Sequence, residues 1–387
     1  MCEKTNECRC GIRTHQSAPL WEFVAYFLRL GTFGFGGPIA LASRMETNLV
    51  QEKNWIQQGD YLEGLALAQL APGPLAAQLA MYLGYVRAGV MGASVVGIAF
   101  VLPSFLMVLA ISALYVRYDG LPQLRAAFYG IGAAVVAIIL RSVIKLGRST
   151  LKRDKVLWPI ATVLAVSTAI TGREIFSLFL LAGLCSWFLK TQAYKARPAL
   201  CLLPVSSVSV YWLQSKDLQI LWFFLKSSLF VFGSGLAIVP FLHGGVVETH
   251  HWLNERQFLD AIAVAMITPG PVVITVAFIG YLVGGLPGAV LAAAGVFLPV
   301  YVVVLACASF YRRISTSAAI QAFVKGVTAA ATGAIAGSVF VIARHSIYDG
   351  QTVAIFALTA LALWRWKIPE PILVAASGAI GLILFAG

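Results

Sequence analysis

Two short stretches decide how this chain folds: Leu70-Ala71-Pro72-Gly73-Pro74 and, 197 positions later, Ile267-Thr268-Pro269-Gly270-Pro271. Both lie inside long apolar runs. A proline denies the residue before it helical geometry, and Pro74 and Pro271 suit the first turn of a new helix. Each stretch therefore predicts a discontinuous helix whose second part starts at the second proline.

Working outward, the same spacing pairs Phe33 with Phe230, Phe35 with Phe232, Gly36 with Gly233 and Trp55 with Trp252. After a slip of one residue, Gly84-Tyr85 matches Gly280-Tyr281, Leu102-Pro103 matches Leu298-Pro299, and Tyr115 matches Tyr311. So long a correspondence defines two copies of one unit. The expected organisation is a polar N-terminal tail (1–16), a first repeat (17–197), a linker (198–216) and a second repeat (217–387).

Composition names the solvent. The chain has 387 residues, 59% hydrophobic and 11% charged, where soluble domains carry about 25% charged residues. Ala261 to Tyr311 holds no Asp, Glu, Lys, Arg or His, and Gly64 to Val86, Met91 to Leu114 and Gly326 to Ala343 are similar. A membrane helix needs roughly 20 apolar residues. The alternation of a transmembrane barrel is absent from runs such as Val135 to Leu140. The expected fold is an all-α integral membrane protein, a polytopic bundle of two homologous halves with about ten to twelve crossings.

The net charge of +12 sits in short loops, as the positive-inside rule requires, and not in a nucleic-acid-binding patch. Lys145, Arg148, Lys152, Arg153 and Lys155 form the densest group. The corresponding region near Arg344 to Asp349 is far less basic, while Arg312, Arg313 and Lys325 outweigh Arg117 and Arg125 with Asp119. The basic side swaps between copies, which favours inverted repeats over a parallel duplication. Residues 1 to 20 contain no apolar core of a cleaved signal peptide. Cys2, Cys8, Cys10 and His15 fall in the tail without zinc-finger spacing, so no metal or cofactor is expected.

The candidate site follows from the breaks. Gly36-Gly37-Pro38, with Gly233-Ser234-Gly235 as its partner, interrupts the first helix of each copy. Irregular backbone survives at membrane depth where it is buried or lines a wet cavity, and the N-terminus of a half-helix presents free N–H groups and a partial positive charge. Such ends meeting near the midplane make an anion site. Substrate contacts are accordingly assigned to Gly36, Gly37, Pro38, Pro72, Gly73, Pro74, Gln78, Gly233, Ser234, Gly235, Thr268, Pro269, Gly270 and Pro271, with Arg29 and Lys226 as paired cations. Gln69 and Thr275 are nearby polar groups. Glu63 and Asp260, each nine residues before its Pro-Gly-Pro, are candidates for proton coupling or gating, although a carboxylate near a helix start also suits the dipole. No nucleophile with a local base and no nucleotide-binding Gly-rich loop occurs. A lipid-modifying enzyme would need an acidic or metal-binding cluster, and no Asp-rich motif is present.

The run from Phe27 to Pro38, the run from Tyr61 to Tyr85 and the second copy with Thr268 to Pro271 and Gly280-Tyr281 together resemble the chromate ion transporter family in its long two-domain form. The resemblance covers nearly the whole chain after residue 17. It implies a multi-pass protein of the cytoplasmic (inner) membrane, with opposed halves, that exports chromate by secondary active transport and gives resistance to it. Sulfate, a tetrahedral dianion of similar size, is the alternative substrate. Membrane lipid is the other expected partner, and association as a homodimer is left open. The departure lies at Gly233-Ser234-Gly235, where the first copy has Gly-Gly-Pro.

Overall fold

A computed structural model of the chain describes residues 19–35, 37–118, 122–151, 154–171, 176–191, 215–229, 231, 238–308, 317–366, 368 and 370–385. The N-terminal tail, most of the linker, and Gly36 and Gly233 to Gly235 lie outside them. The described residues are helical with no strand. The first half contains α1 (Leu20–Phe33), α2 (Gly37–Met45) continuing into π-helical turns at Glu46–Glu52, α3 (Gln58–Leu70), α4 (Leu75–Tyr118), α5 (Pro122–Thr150), α6 (Leu157–Thr171) and α7 (Phe176–Thr191). The second half contains α8 (Lys216–Ser228), α9 (Val239–Leu242) continuing into π-helical turns at His243–Thr249, α10 (Glu255–Ile267), α11 (Thr275–Ala308), α12 (Ala318–Ser346), α13 (Gly350–Arg365) and α14 (Glu370–Phe385). The repeat extends to fine detail. Asn54 and His251, 197 positions apart, end the π-helical turns at φ 52° and 50°, a left-handed conformation that Asn and His tolerate better than most residues.

The chain does not continue through the Pro-Gly-Pro breaks as the sequence predicts; it reverses there. Along one straight helix Glu63 and Tyr82 would stand about 28 Å apart, yet the Tyr82 hydroxyl lies 3.4 Å from the Glu63 carboxylate. The cause is local. Ala71 and Thr268, each before a proline, are extended at ψ 145° and 134°, and Gly73 and Gly270 follow at φ 137° and 100°. Consecutive non-helical residues turn α3 back onto α4, and α10 back onto α11. The helices on either side of the Gly-rich breaks also lie side by side. Tyr26 on α1 reaches the Arg44 carbonyl at 3.3 Å, and Phe223 on α8 packs edge-on against Trp252 with ring centroids 5.6 Å apart. Each half thus begins with two helical hairpins, numbered first to fourth along the chain.

α4 and α11 each bend into two limbs. Non-helical backbone at Ala88-Gly89 and Gly284-Gly285 separates 75–87 from 90–118 and 275–283 from 286–308. The second limb of α4 shows how the halves are opposed. Its start adjoins the base of the second hairpin, and Gly84 packs against Gly92 across the bend. Its middle, at Ser104, meets the tip of the fourth hairpin at Gly270. Its far end, at Tyr115, donates a 2.7 Å hydrogen bond to Asp260 on α10 and stacks edge-on with Phe278 on α11. The second and fourth hairpins therefore approach from opposite ends of one helix, as inverted repeats require.

Among the described residues, four helical stretches are long and apolar enough to cross a membrane by length and composition: Leu75–Tyr118, Ala126–Arg148, Val272–Ala308 and Ala318–Arg344. Around them the halves interlock. α6 and α7 of the first half pack on α12 of the second, and α13 and α14 pack on α5. Tyr129 on α5 bonds the Asp349 carboxylate that caps α13. Small residues let these backbones touch, which is how helices associate where lipid removes the hydrophobic drive. A Cβ added at Gly333 would stand 2.0 Å from the Ala161 carbonyl oxygen. Gly333→Leu is expected to cut the yield of folded protein severely, whereas Gly350→Ala, at a position open to space, should leave it unchanged; size-exclusion profiles in detergent distinguish the two.

Candidate functional site

The hairpin tips meet in reciprocal pairs. The Gly73 N–H of the second hairpin donates to the Val231 carbonyl of the third at 2.6 Å, and the Gly270 N–H of the fourth donates to the Gly34 carbonyl of the first at 2.9 Å. These two bonds are the same contact repeated 197 residues on, each joining one half to the other. Ser104 and Val300, themselves equivalent, back them. A Cβ at Gly270 would meet the Ser104 hydroxyl oxygen at 1.9 Å, and one at Gly73 would meet a Val300 methyl at 2.8 Å. Close approach and positive φ together explain why glycine stands at both tips. The helices that leave the tips, α2 and α4 among them, start with N–H groups lacking helical partners.

A narrow cleft opens where the first and fourth hairpins touch. Gly34, Gly37, Thr268, Gly270, Val272 and Glu370 line it. Of the residues nominated from sequence, Gly37, Thr268 and Gly270 are therefore brought together. Pro74, Pro269 and Pro271 are buried at the tips, and Pro38 and Pro72 are half-buried. Gln78, 1% exposed, donates its amide to the Pro72 carbonyl at 2.7 Å and braces the second tip from within. Its equivalent, Thr275, bonds the Val272 carbonyl at 2.7 Å. Thr268 bonds back to Val264. Gln69 is exposed. Gly36, Gly233, Ser234 and Gly235 lie outside the described residues.

The two cations do not line this cleft. Arg29 and Lys226 are exposed on α1 and α8, and Lys226 stands 4.8 Å over the Trp222 ring. The two carboxylates differ from each other. Glu63 is half-buried with Tyr82 beside it. Asp260 is 2% exposed, accepts from Tyr115 and lies 3.9 Å from Arg256.

Two features were not singled out by sequence reasoning. Glu370 stands far from every Pro-Gly-Pro in the chain, and only the packing of α14 on α10 brings it to the cleft. His243, Glu248 and Glu255 place their ligand atoms within 4.8 Å of one another, the one such group among the described residues. His243 lies 2.9 Å from the Glu255 carboxylate. At the equivalent place in the first half, Gln58 donates to Glu46 at 3.1 Å. The shared element is a polar clamp from each π-helical segment to the next helix.

Paired antiparallel halves, hairpins turning back inside the bundle and tips docked across the repeat define a multi-pass membrane transport protein rather than an enzyme. The chromate transporter family model matches residues 21–187 and 218–382, and the chain belongs to that family in its two-domain form. It is 53% identical to the chromate transport protein of Cupriavidus metallidurans, over 97% of this chain and 95% of that one. It is 46% identical to a probable chromate transport protein of Synechococcus elongatus, over 97% and 98%, and 31% identical to the chromate transport protein of Pseudomonas aeruginosa, over 94% and 92%. No solved structure matches the chain.

Proposed function

We propose that this chain carries chromate out of the cell across the cytoplasmic membrane, driven by an ion gradient, and so confers chromate resistance. The names of its relatives support the substrate. The reciprocal docking of hairpin tips carries the choice of site. Helix starts gathered at the tips favour an anion, and two opposed hairpin pairs provide the halves that alternating access needs. Arg29 and Lys226 each stand five residues before a docking carbonyl, about 7.5 Å along the helix. From there long side chains act on the tips through their field and draw the dianion toward the cleft. Glu63 and Asp260 are the proposed coupling or gating carboxylates. Sulfate, with the same shape and charge, is the competing substrate reading.

Inside-out vesicles with a proton gradient separate the alternatives. Vesicles containing the protein should accumulate chromate, sulfate should compete, and Arg29→Ala should slow uptake by about tenfold, the lower end of what electrostatic steering supplies. Uptake equal to that of vesicles lacking the protein, with the protein shown to be present, would sink the chromate assignment. Sulfate uptake faster than chromate uptake would transfer the assignment to sulfate.

A further inference from the structure

His243, Glu248 and Glu255 lie where the third hairpin passes into the fourth, away from the tips. His243 and Glu248 belong to the π-helical turns at His243–Thr249, and Glu255 opens α10. In an α-helix, side chains five apart point about 140° away from each other. The i→i+5 bonding of a π-helix sets one over the next. The π-helical turns thus bring Glu248 to the face of His243, and the return of the chain into α10 adds Glu255. The His243 Nε2 stands 3.0 and 2.9 Å from the two Glu255 carboxylate oxygens. Ligand atoms of all three residues lie within 4.8 Å of one another. His243 is 1% exposed, with Phe258 edge-on to its ring at 5.2 Å between centroids. Glu248 and Glu255 are half-buried, which leaves a path from solvent.

The repeat supplies a second observation. The positions equivalent at the offset of 197 are Glu46, Gln51 and Gln58, where Gln58 donates to Glu46 at 3.1 Å. There a hydrogen bond clamps the π-helical segment to the next helix. The second copy carries a metal-ligating side chain at all three positions. A clamp needs only two of them. The added carboxylate of Glu248 brings a second negative charge to the same spot, and like charges so placed oppose each other. Arg256, next in sequence, lies 3.9 Å from Asp260 instead. A divalent cation relieves the repulsion, since two carboxylates and a neutral imidazole balance its charge.

We propose that His243, Glu248 and Glu255 form a binding site for a first-row divalent cation of the Zn2+ class. One nitrogen and two oxygens, with water in the fourth place, suit tetrahedral zinc. The imidazole disfavours Mg2+ and Ca2+, which take oxygen ligands. With the farthest ligand atoms 4.8 Å apart, a central ion lies at most about 2.8 Å from each, so side-chain shifts of about 0.6 Å reach the usual Zn–N and Zn–O lengths. The ion staples the π-helical segment to α10 and makes the third and fourth hairpins one body at their base. Two amides and one carboxylate offer the first half no comparable ligand set. The inference stands apart from the identity of the transported anion.

The test is calorimetric titration of Zn2+ into purified full-length protein in detergent, freed of any affinity tag. Cys2, Cys8 and Cys10 are replaced by Ser, so that thiolates of the N-terminal tail do not bind the ion. One equivalent should bind, and excess Mg2+ should not displace it. Glu248→Gln keeps the His243–Glu255 pair and should weaken Zn2+ binding by about 100-fold, since losing a ligand costs at least what losing its outer partner does. The triple variant His243→Glu/Glu248→Gln/Glu255→Gln rebuilds the side-chain set of the first copy. It should elute like the parent protein and bind no Zn2+. Zn2+ should raise the unfolding temperature of the parent and not of the triple variant. Absence of binding, parental affinity in Glu248→Gln, or displacement by Mg2+ at equal concentration overturns the proposal and leaves His243 and Glu255 as a polar clamp alone.

Discussion

Gly270→Val is expected to abolish chromate uptake while leaving protein in the membrane. At φ 100° a β-branched side chain is strained by about 1–3 kcal/mol. The added Cβ would also stand 1.9 Å from the Ser104 hydroxyl oxygen. That hydroxyl bonds the Gly31 carbonyl at 3.2 Å, so relief of the clash moves α1 away from α4. The Gly270 N–H then loses its 2.9 Å bond to Gly34, and the fourth tip leaves the first. Gly73→Val should act alike on the second tip through Val300. Gly132→Ala is the control, since its Cβ would meet only a Leu259 methyl at 3.9 Å. Vesicle uptake and thermal denaturation in detergent read the result. Wild-type uptake by Gly270→Val would show that transport does not need the docked tips.

The second large effect belongs to Asp260. Removing its carboxylate in Asp260→Ala leaves the Tyr115 hydroxyl buried without its acceptor and should cost about 3 kcal/mol. Asp260→Asn keeps an acceptor for Tyr115 and should stay within about 1 kcal/mol of wild type. It removes the charge, however, so a carrier that couples through this carboxylate should keep its anion site and lose the dependence of uptake on the proton gradient. Uptake by Asp260→Asn that still follows the gradient would make Asp260 a structural partner of Tyr115.

The sequence exposed the architecture because its decisive signals are local or repeated. Charge-free runs mark membrane-embedded helices, and the recurrence of Pro-Gly-Pro marks two halves. The swap of basic loops gave the correct relative orientation, now visible in the placement of Ser104 and Tyr115 along one helix. Reversal at the breaks was not legible. Pro-Gly-Pro states that a helix ends, and nothing in it states in which direction the next one leaves; that is set by Tyr82 meeting Glu63 and by the packing of Gly270 on Ser104. The tip residues were found because glycine and proline carry backbone meaning wherever they occur. Glu370 was missed because its place in the cleft depends on α14 packing on α10, a contact without a sequence signature. Arg29 and Lys226 show the opposite: pairing in the repeat located them, but only packing reveals that they face outward.

The interlocking of α6 and α7 with α12 also bears on how the chain is made. Synthesis runs from the N-terminus, so α6 and α7 enter the membrane long before the helix they clasp exists. Until Ala318–Ser346 arrives, the faces destined for Gly333 and Gly337 are held only by lipid. Maturation therefore cannot proceed half by half; the first half finishes last, closed by a helix of the second. In a pulse-labelled series of arrested chains, protease resistance of α6 and α7 should appear only after residue 346 has left the ribosome, and resistance in chains arrested within the linker would refute this order.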